Sequence, residues 1–343
     1  MKKLFSIPVV ILLGAGLLCG LFINTAQAKT MDLTFSIADS PNHPDVKRGY
    51  RVWADEVEKR TNGKVKITIH AGQTLAKASE QYDMVLVGAI DITKVVATHY
   101  RGRFPLLNIF SLPFLIPTDA KDKNGRLVRD ILFEKYIEPA YFQDMKVLFI
   151  GRYQPNVIHL VKDPIRTLED IKGKVISVPG GKTNIEMVKA LGGSPETVRT
   201  PDVYTALERG MVDGHVLPLS TQRSFKFYEV TKYITEANFG AALHILVLRK
   251  ETWDKMPPDV QKVIDDLNPW GAELLDKVGK GNAQSTAKLV KEKGLEIIEL
   301  SPQERARWAN ATEMLDEDWA KNCDSKGLPG SEMLKFVKQI LCK

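Results

Sequence analysis

Cysteine is scarce in this chain, with three residues in 343, at positions 19, 323 and 342. That excludes a disulfide-dense scaffold and a four-cysteine structural zinc site. Histidine is thin as well. The six residues, His43, His70, His99, His159, His215 and His244, include no pair three or four apart and no HExxH, so no helical face offers two metal ligands. No resident metal and no cofactor are expected. Charge of neither sign dominates: 48 basic against 42 acidic residues leave a formal net charge of +6, too mild to imply nucleic acid. A phosphate-binding loop is lacking too, because ISVPGGKT at 176–183 has Ile176 where the motif needs glycine. There is no GxSxG elbow, and no motif places a serine, a histidine and an acid together. An enzyme is therefore not expected. A lyase using His43 or His99 as its base lacks a second catalytic group.

Only one long apolar run is present, and its position is informative. Lys2 and Lys3 precede an uncharged stretch from Leu4 to Ile23, which ends near Ala26-Gln27-Ala28. These are the three parts of a secretory signal, residues 1–28, with cleavage expected after Ala28 and the mature protein in the periplasm. A retained membrane anchor is the alternative, since the run is about long enough to span. A lipoprotein fits less well, because Leu18 precedes Cys19 where lipid attachment wants a small residue. Loss of the signal lowers the net charge from +6 to +4 and leaves residues 29–343, more than one core usually supports. Export also makes a disulfide between Cys323 and Cys342 an expectation, with two unpaired thiols as the alternative.

What remains alternates strands with helices. Thr34 to Ala38 reads as a strand, and Val46, Tyr50, Trp53, Ala54 and Val57 recur at helical spacing until Asn62-Gly63. KVKITIH at 64–70 then alternates as a strand does. The pattern restarts near Lys146 with KVLFI and VIHLV, followed by TLEDIKG, whose Thr167 and Asp170 predict a capping box and whose Gly173 stops the turn. A helix closed by glycine, then an apolar residue and Asp, occurs twice, as VLVGAID at 85–91 and ALERGMVDG at 206–214. This repetition predicts two similar α/β lobes with largely parallel sheets. From Pro258 an amphipathic run reaches toward Gly294, long enough at 1.5 Å per residue to touch both lobes, with a kink expected at Pro269. A last helix is predicted from Ser301, with Glu304 completing a capping box and Trp308, Leu315 and Trp319 on one face.

Seven segments in order carry a resemblance: Asn42-His43-Pro44, GQTLAKASEQ at 72–81, IFSLPFL at 109–115, TLEDIKGKV at 167–175, VYTALERGMVDG at 203–214, PLSTQRSFKFYEV at 218–230 and ETWDKMPPDVQKVI at 251–264. From about residue 32 to 300 the chain resembles the solute-binding subunits of TRAP transporters. The resemblance implies an α/β, two-lobed periplasmic binding protein fold, with crossing strands and a long kinked helix shared by both lobes. Lobe one would hold 29–153 and 243–282, and lobe two 154–242 and 283–343. It further implies that a small molecule is enclosed between the lobes and delivered to a small and a large membrane subunit, and the two-lobe pattern with its single shared helix predicts a monomer. A sensory role, docking on a chemoreceptor or kinase, leaves the same sequence pattern.

The chain departs from the family where a ligand carboxylate is usually held. The customary arginine is Ser177, the polar residue before Pro218 is Leu217, and the arginine expected around Asn156 to His159 is absent. A hydroxyl cannot supply the charged, bidentate donor pair of a guanidinium. The ligand is accordingly expected to be neutral or cationic rather than a simple carboxylate, unless Arg152, or second to it Lys182, takes over. Lining residues carried over by position are Asp39, His43, Glu80, Thr98, His99, Tyr100, Arg152, Tyr153, Asn156, Ser177, Tyr204, Leu217 and Phe239. Ring faces of Tyr100, Tyr153, Tyr204 and Phe239 could wall an ammonium group, with Asp39 or Glu80 as counter-charge.

Overall fold

The computed structural model describes residues 30–100, 102–237 and 239–341. The signal with its cleavage site, and Cys342, lie outside them. Eleven strands form two sheets: β1 (Met31–Ile37), β2 (Val65–Ala71), β3 (Ile92–Val96), β4 (Met145–Arg152), β5 (Asn156–Leu160), β6 (Val175–Val178), β7 (Ser194–Thr197), β8 (Gly214–Pro218), β9 (Tyr233–Glu236), β10 (Leu243–Arg249) and β11 (Glu296–Glu299). Lobe one carries the order β2-β1-β3-β10-β4, and lobe two carries β11-β9-β5-β8-β6-β7. Parallel pairs join β1 to β2 and β3, β6 to β7 and β8, and β9 to β11. The four other pairs are antiparallel, so each sheet is mixed.

The repeated helix-glycine-Asp signal builds the same corner in both lobes. Gly88 and Gly210 adopt φ of +75° and +66°, a conformation open to glycine without a Cβ penalty. The following residues close each helix in Schellman fashion, with Ala89 N–H donating to Met84 O and Met211 N–H to Ala206 O, each at 2.9 Å. Asp91 then accepts from Thr34 N–H at 2.9 Å, and Asp213 accepts from Val175 N–H at 2.7 Å. Each aspartate thereby fastens the incoming strand to its neighbour.

Three passages connect the lobes. β4 runs directly into β5 and β9 into β10, and the two crossings are stitched by Tyr153 N–H to Ala242 O at 3.1 Å and Asn156 N–H to Gly240 O at 3.2 Å. The third is the helix Pro258–Glu292, 35 residues and roughly 50 Å at 1.5 Å per residue, with Pro269 inside it. It packs on β4 in lobe one and reaches β11 in lobe two.

Local expectations held at the Thr167–Asp170 capping box and at Asn62-Gly63, whose φ of +52° and +74° end the helix Arg51–Arg60. The last predicted helix is instead two, Pro302–Thr312 and Met314–Asp324, followed by Gly330–Ile340. Ser301 caps as expected, accepting from Glu304 N–H at 3.1 Å. Glu304 does not reach back to complete the box; its carboxylate accepts from Leu168 N–H at 2.9 Å and pairs with Arg307. Cys323 is fully buried, and burial pushes its thiol up to about 11. It is a free thiol in this structure, and its expected partner Cys342 falls outside the described residues.

Candidate functional site

One end of the lobe-one sheet gathers an unusual number of polar groups. Lys94 lies on β3, a strand buried along its whole length, and its side chain is 1% exposed. A lysine there is stable only if paired. Its ammonium forms a close ion pair with Asp39, donates to Tyr153 Oη at 2.8 Å, and lies 5.3 Å from that ring's centroid. Burial alone would raise the Asp39 carboxyl, but Lys94 and, more weakly, His43 overcome it and hold the group down at about 2. Burial is the largest single effect on the ammonium and works against its charge, but Asp39, Tyr153, Tyr50 and Asp45 together outweigh it and hold the group charged.

Around this pair stand Tyr50 and His244, joined through Tyr50 Oη and His244 Nδ1 at 3.1 Å. Burial, and next the Lys94 charge, push His244 down to about 3, so its ring is neutral. Gly151 makes room for it, since a Cβ there would overlap the imidazole. His99 is also held below its usual value, by burial and then by Lys94. Asp45 opens the helical segment Asp45–Tyr50 and is 8% exposed.

A narrow crevice of about 50 Å³ borders this cluster. Asp45, Tyr153 and His244 line it from lobe one, Pro218 and Ser220 from lobe two, and Asn282 from the long helix. A larger groove of about 360 Å³ lies among Phe142, Met145, Lys146 and Trp253, at the far end of β4 and away from the interlobe crossings.

Arg152 also borders the crevice, but its guanidinium is occupied. It donates to Ala241 O, Pro117 O and Ile116 O at 3.0 Å and to Phe110 O at 3.1 Å, four of its five N–H groups. Burial lowers its pKa to about 10, leaving it charged.

Across the cleft, Ser177 on β6 faces His215 on β8, which in turn faces His159 on β5. The two imidazoles stack at 4.2 Å and are fully buried. Burial pushes His159 down to about 4 and His215 well below its ordinary value, so both are neutral. Gln222 holds His159 through Nδ1 at 2.7 Å, whereas Ser177 Oγ and both His215 nitrogens lack hydrogen-bond partners in the structure. Leu217, 8% exposed, lies two residues beyond this stack toward Pro218 and the crevice.

Of the residues expected to line a site, Asp39, His43, His99, Arg152 and Tyr153 come together, with Thr98 exposed beside them. Asn156 starts β5 opposite Pro218. Others do not join them. Tyr100 is in the core, its hydroxyl accepting from Tyr82 N–H at 3.1 Å, and Phe239 packs between Phe114 and Trp308. Glu80 is exposed and pairs with Lys77, and Tyr204 donates to Glu229 at 3.0 Å. Lys182 begins an exposed helix end. Lys94, Asp45, Tyr50 and His244 were not singled out from sequence. The available signal was a lysine inside the apolar run ITKVV and a histidine inside LHILVLR.

Residues 35–322 match the family model described as bacterial extracellular solute-binding protein, family 7. The chain belongs to this family. Its members are receptors of TRAP-type transport, and this receptor accordingly binds a small molecule outside the cytoplasm and works with membrane subunits. It is similar to the C4-dicarboxylate-binding periplasmic protein DctP of Rhodobacter capsulatus, 24% identical over 91% of this chain and 92% of that one. Among solved structures, a TRAP periplasmic solute-binding protein from Desulfovibrio salexigens is 28% identical, with a TM-score of 0.81 over 91% of this chain and 95% of the other. A marine metagenome TRAP protein specific for aromatic acid ligands, in complex with 3-hydroxybenzoate, is 26% identical with a TM-score of 0.78, over 92% and 98%. The two sheets, the paired crossings and the long helix are thus the solute-binding fold of the family.

Proposed function

We propose that this receptor is a monomer, released by cleavage after Ala28, that closes on a neutral or cationic small molecule and hands it to the small and large membrane subunits. One observation supports the ligand class: among the described residues, neither candidate for the guanidinium position, Ser177 or Arg152, offers a free one. Ser177 is buried beside two neutral imidazoles, and Arg152 is engaged by four backbone carbonyls. Seating a carboxylate there without a paired cation costs several kcal/mol.

The second reading is an organic acid. It is favoured by relatives named for C4-dicarboxylates and for 3-hydroxybenzoate, and by the one N–H of Arg152 not engaged by these carbonyls. A thermal-shift panel of organic acids, amines, polyols and aromatic compounds separates the two, since a ligand at a hundred times its Kd stabilises by about 2.7 kcal/mol. Amines or polyols are expected to raise Tm. If only acids do so, and Arg152→Lys removes their effect while Ser177→Ala does not, the acid reading replaces this one.

A further inference from the structure

The two strand crossings between the lobes are short and carry few polar side chains. Among their described residues, within 153–155 and 237–242, Tyr153 is the one whose side chain makes a hydrogen bond. Its hydroxyl accepts from the Lys94 ammonium at 2.8 Å, a charge-assisted bond to a side chain that is 1% exposed and itself paired with Asp39. Its ring packs on the His244 imidazole at 5.0 Å, and that imidazole is fastened to Tyr50 Oη at 3.1 Å. These partners belong to separate elements of lobe one: Lys94 to β3, His244 to β10 and Tyr50 to the helical segment Asp45–Tyr50. Arg152 fixes where the first crossing begins, and Tyr153 fixes the direction in which it leaves. The Tyr153 backbone N–H also donates to Ala242 O at 3.1 Å, so the second crossing follows the first.

We infer that Tyr153 is a positioning residue for ligand capture, and that its hydroxyl bond to Lys94 sets the resting angle between the lobes. The inference rests on the reading that the cleft closes about these crossings, and names the side chain that biases the motion. Swinging the lobes turns the backbone at 153–155, and a ring attached to it keeps its hydroxyl on the buried ammonium over a narrow range of angles. At other angles Lys94 loses an acceptor that water cannot replace, because its side chain is shut off from solvent. A hydrogen bond to a charged group, present in one arrangement and absent from the others, weights their populations by about ten-fold or more. Tyr153 also lines the crevice, so a molecule seated there touches the side chain that sets the angle.

Distances between nitroxide labels, measured by pulsed electron spin resonance on the ligand-free mature chain, test this. Labels on ketone-bearing side chains introduced at Glu58 and Glu208, which are exposed helical positions on opposite lobes, leave the cysteines untouched. Wild type is expected to show one principal distance, and Tyr153→Phe, which keeps the ring, to raise other distances about ten-fold relative to it. In a background of Asp39→Asn with Lys94→Met, where the ammonium and its counter-charge are both gone, Tyr153→Phe should change nothing further. Melting curves check that each variant folds; if the double background does not, Tyr153→Phe in the wild-type background decides. Distances in Tyr153→Phe equal to wild type overturn the inference, even with a lowered Tm, and leave closure to be judged by scattering with ligand. Broadening by Tyr153→Phe that persists in the double background overturns it too, since the bond to Lys94 is then not the cause.

Discussion

Three buried histidines make the protein's stability depend on pH in a defined direction. His159, His215 and His244 have pKa values lowered in the folded state, chiefly by burial, to about 4 and about 3 for the first and last. The unfolded chain, with ordinary values near 6.5, therefore binds more protons as pH falls. Their contribution is fully present above about pH 6.5 and is lost progressively below it, at about 1.4 kcal/mol per pH unit for each histidine. His159 alone loses on the order of 3 kcal/mol by pH 4. Asp39, lowered to about 2, adds a further loss only below its ordinary 3.8. Urea midpoints at pH 7, 6 and 5 are expected to fall steadily. His215→Phe keeps the stack on His159 and Phe227 without titrating, and should flatten the slope by about one proton's worth; an unchanged slope would refute this assignment. Sequence revealed little of this network. Histidines at 159, 215 and 244 look isolated along the chain, and only antiparallel pairing of β5 with β8 brings two of them into contact. Lys94 and Asp39 are 55 positions apart, and Tyr153 lies 59 beyond Lys94, so their meeting depends on sheet order that no local pattern encodes.

Elements were far more legible, because their signals are local. The glycine-apolar-Asp corner predicted from 85–91 and 206–214 is built by four neighbouring residues and one strand amide, and both copies form. The long helix was legible from its amphipathic period, whereas its break-up further on was not: nothing at Glu313 resembles a stop signal, and the helix is interrupted where Trp308 and Trp319 must both be buried. The crossings between lobes depend on tertiary packing in the same way. Gly240, with φ of +79°, lies on the β9–β10 crossing, and a Cβ there would come within 2.8 Å of the Ser111 and Leu112 backbone oxygens. Those atoms are main chain and cannot rotate aside. Gly240→Ala is therefore expected to cost about 2 kcal/mol or more, from left-handed strain and the clash together, against about 1 kcal/mol for Gly210→Ala, whose Cβ meets nothing within 4 Å. Chemical denaturation of both variants checks the ranking, and equal losses would show that the crossing yields to its neighbour.

At the scale of the whole molecule, the connections decide how the lobes can move. Arg152 pins its end of β4 to Phe110, Ile116, Pro117 and Ala241, so the first crossing starts from a fixed point in lobe one. Bending is left to the short backbone between β4 and β5, to its partner between β9 and β10, and to the long helix, which carries Pro269 and an unbranched Gly279 and Gly281 before it reaches lobe two. Proline removes a backbone donor and glycine relaxes the helix, so these are the positions where a helix spanning both lobes can flex. Two crossing strands and one helix are the expected hinge, and closure about it around a ligand would convert occupancy into a change of shape that a membrane partner can read. The C-terminal helices also pack on elements that precede β4: Trp319 donates to Pro105 O at 2.9 Å and Tyr136 donates to Glu332 at 2.9 Å. Small-angle scattering of the mature chain is expected to give a monomer with a radius of gyration of about 20 Å, decreasing when a ligand found by the thermal-shift panel is added to saturation. Crosslinking Tyr153→Cys to Ser220→Cys, which both line the crevice, should fix the compact form and abolish the decrease. A saturating ligand that leaves the wild-type profile unchanged would mean that capture occurs without closure, and the membrane subunits would then have to recognise the bound molecule by some other change.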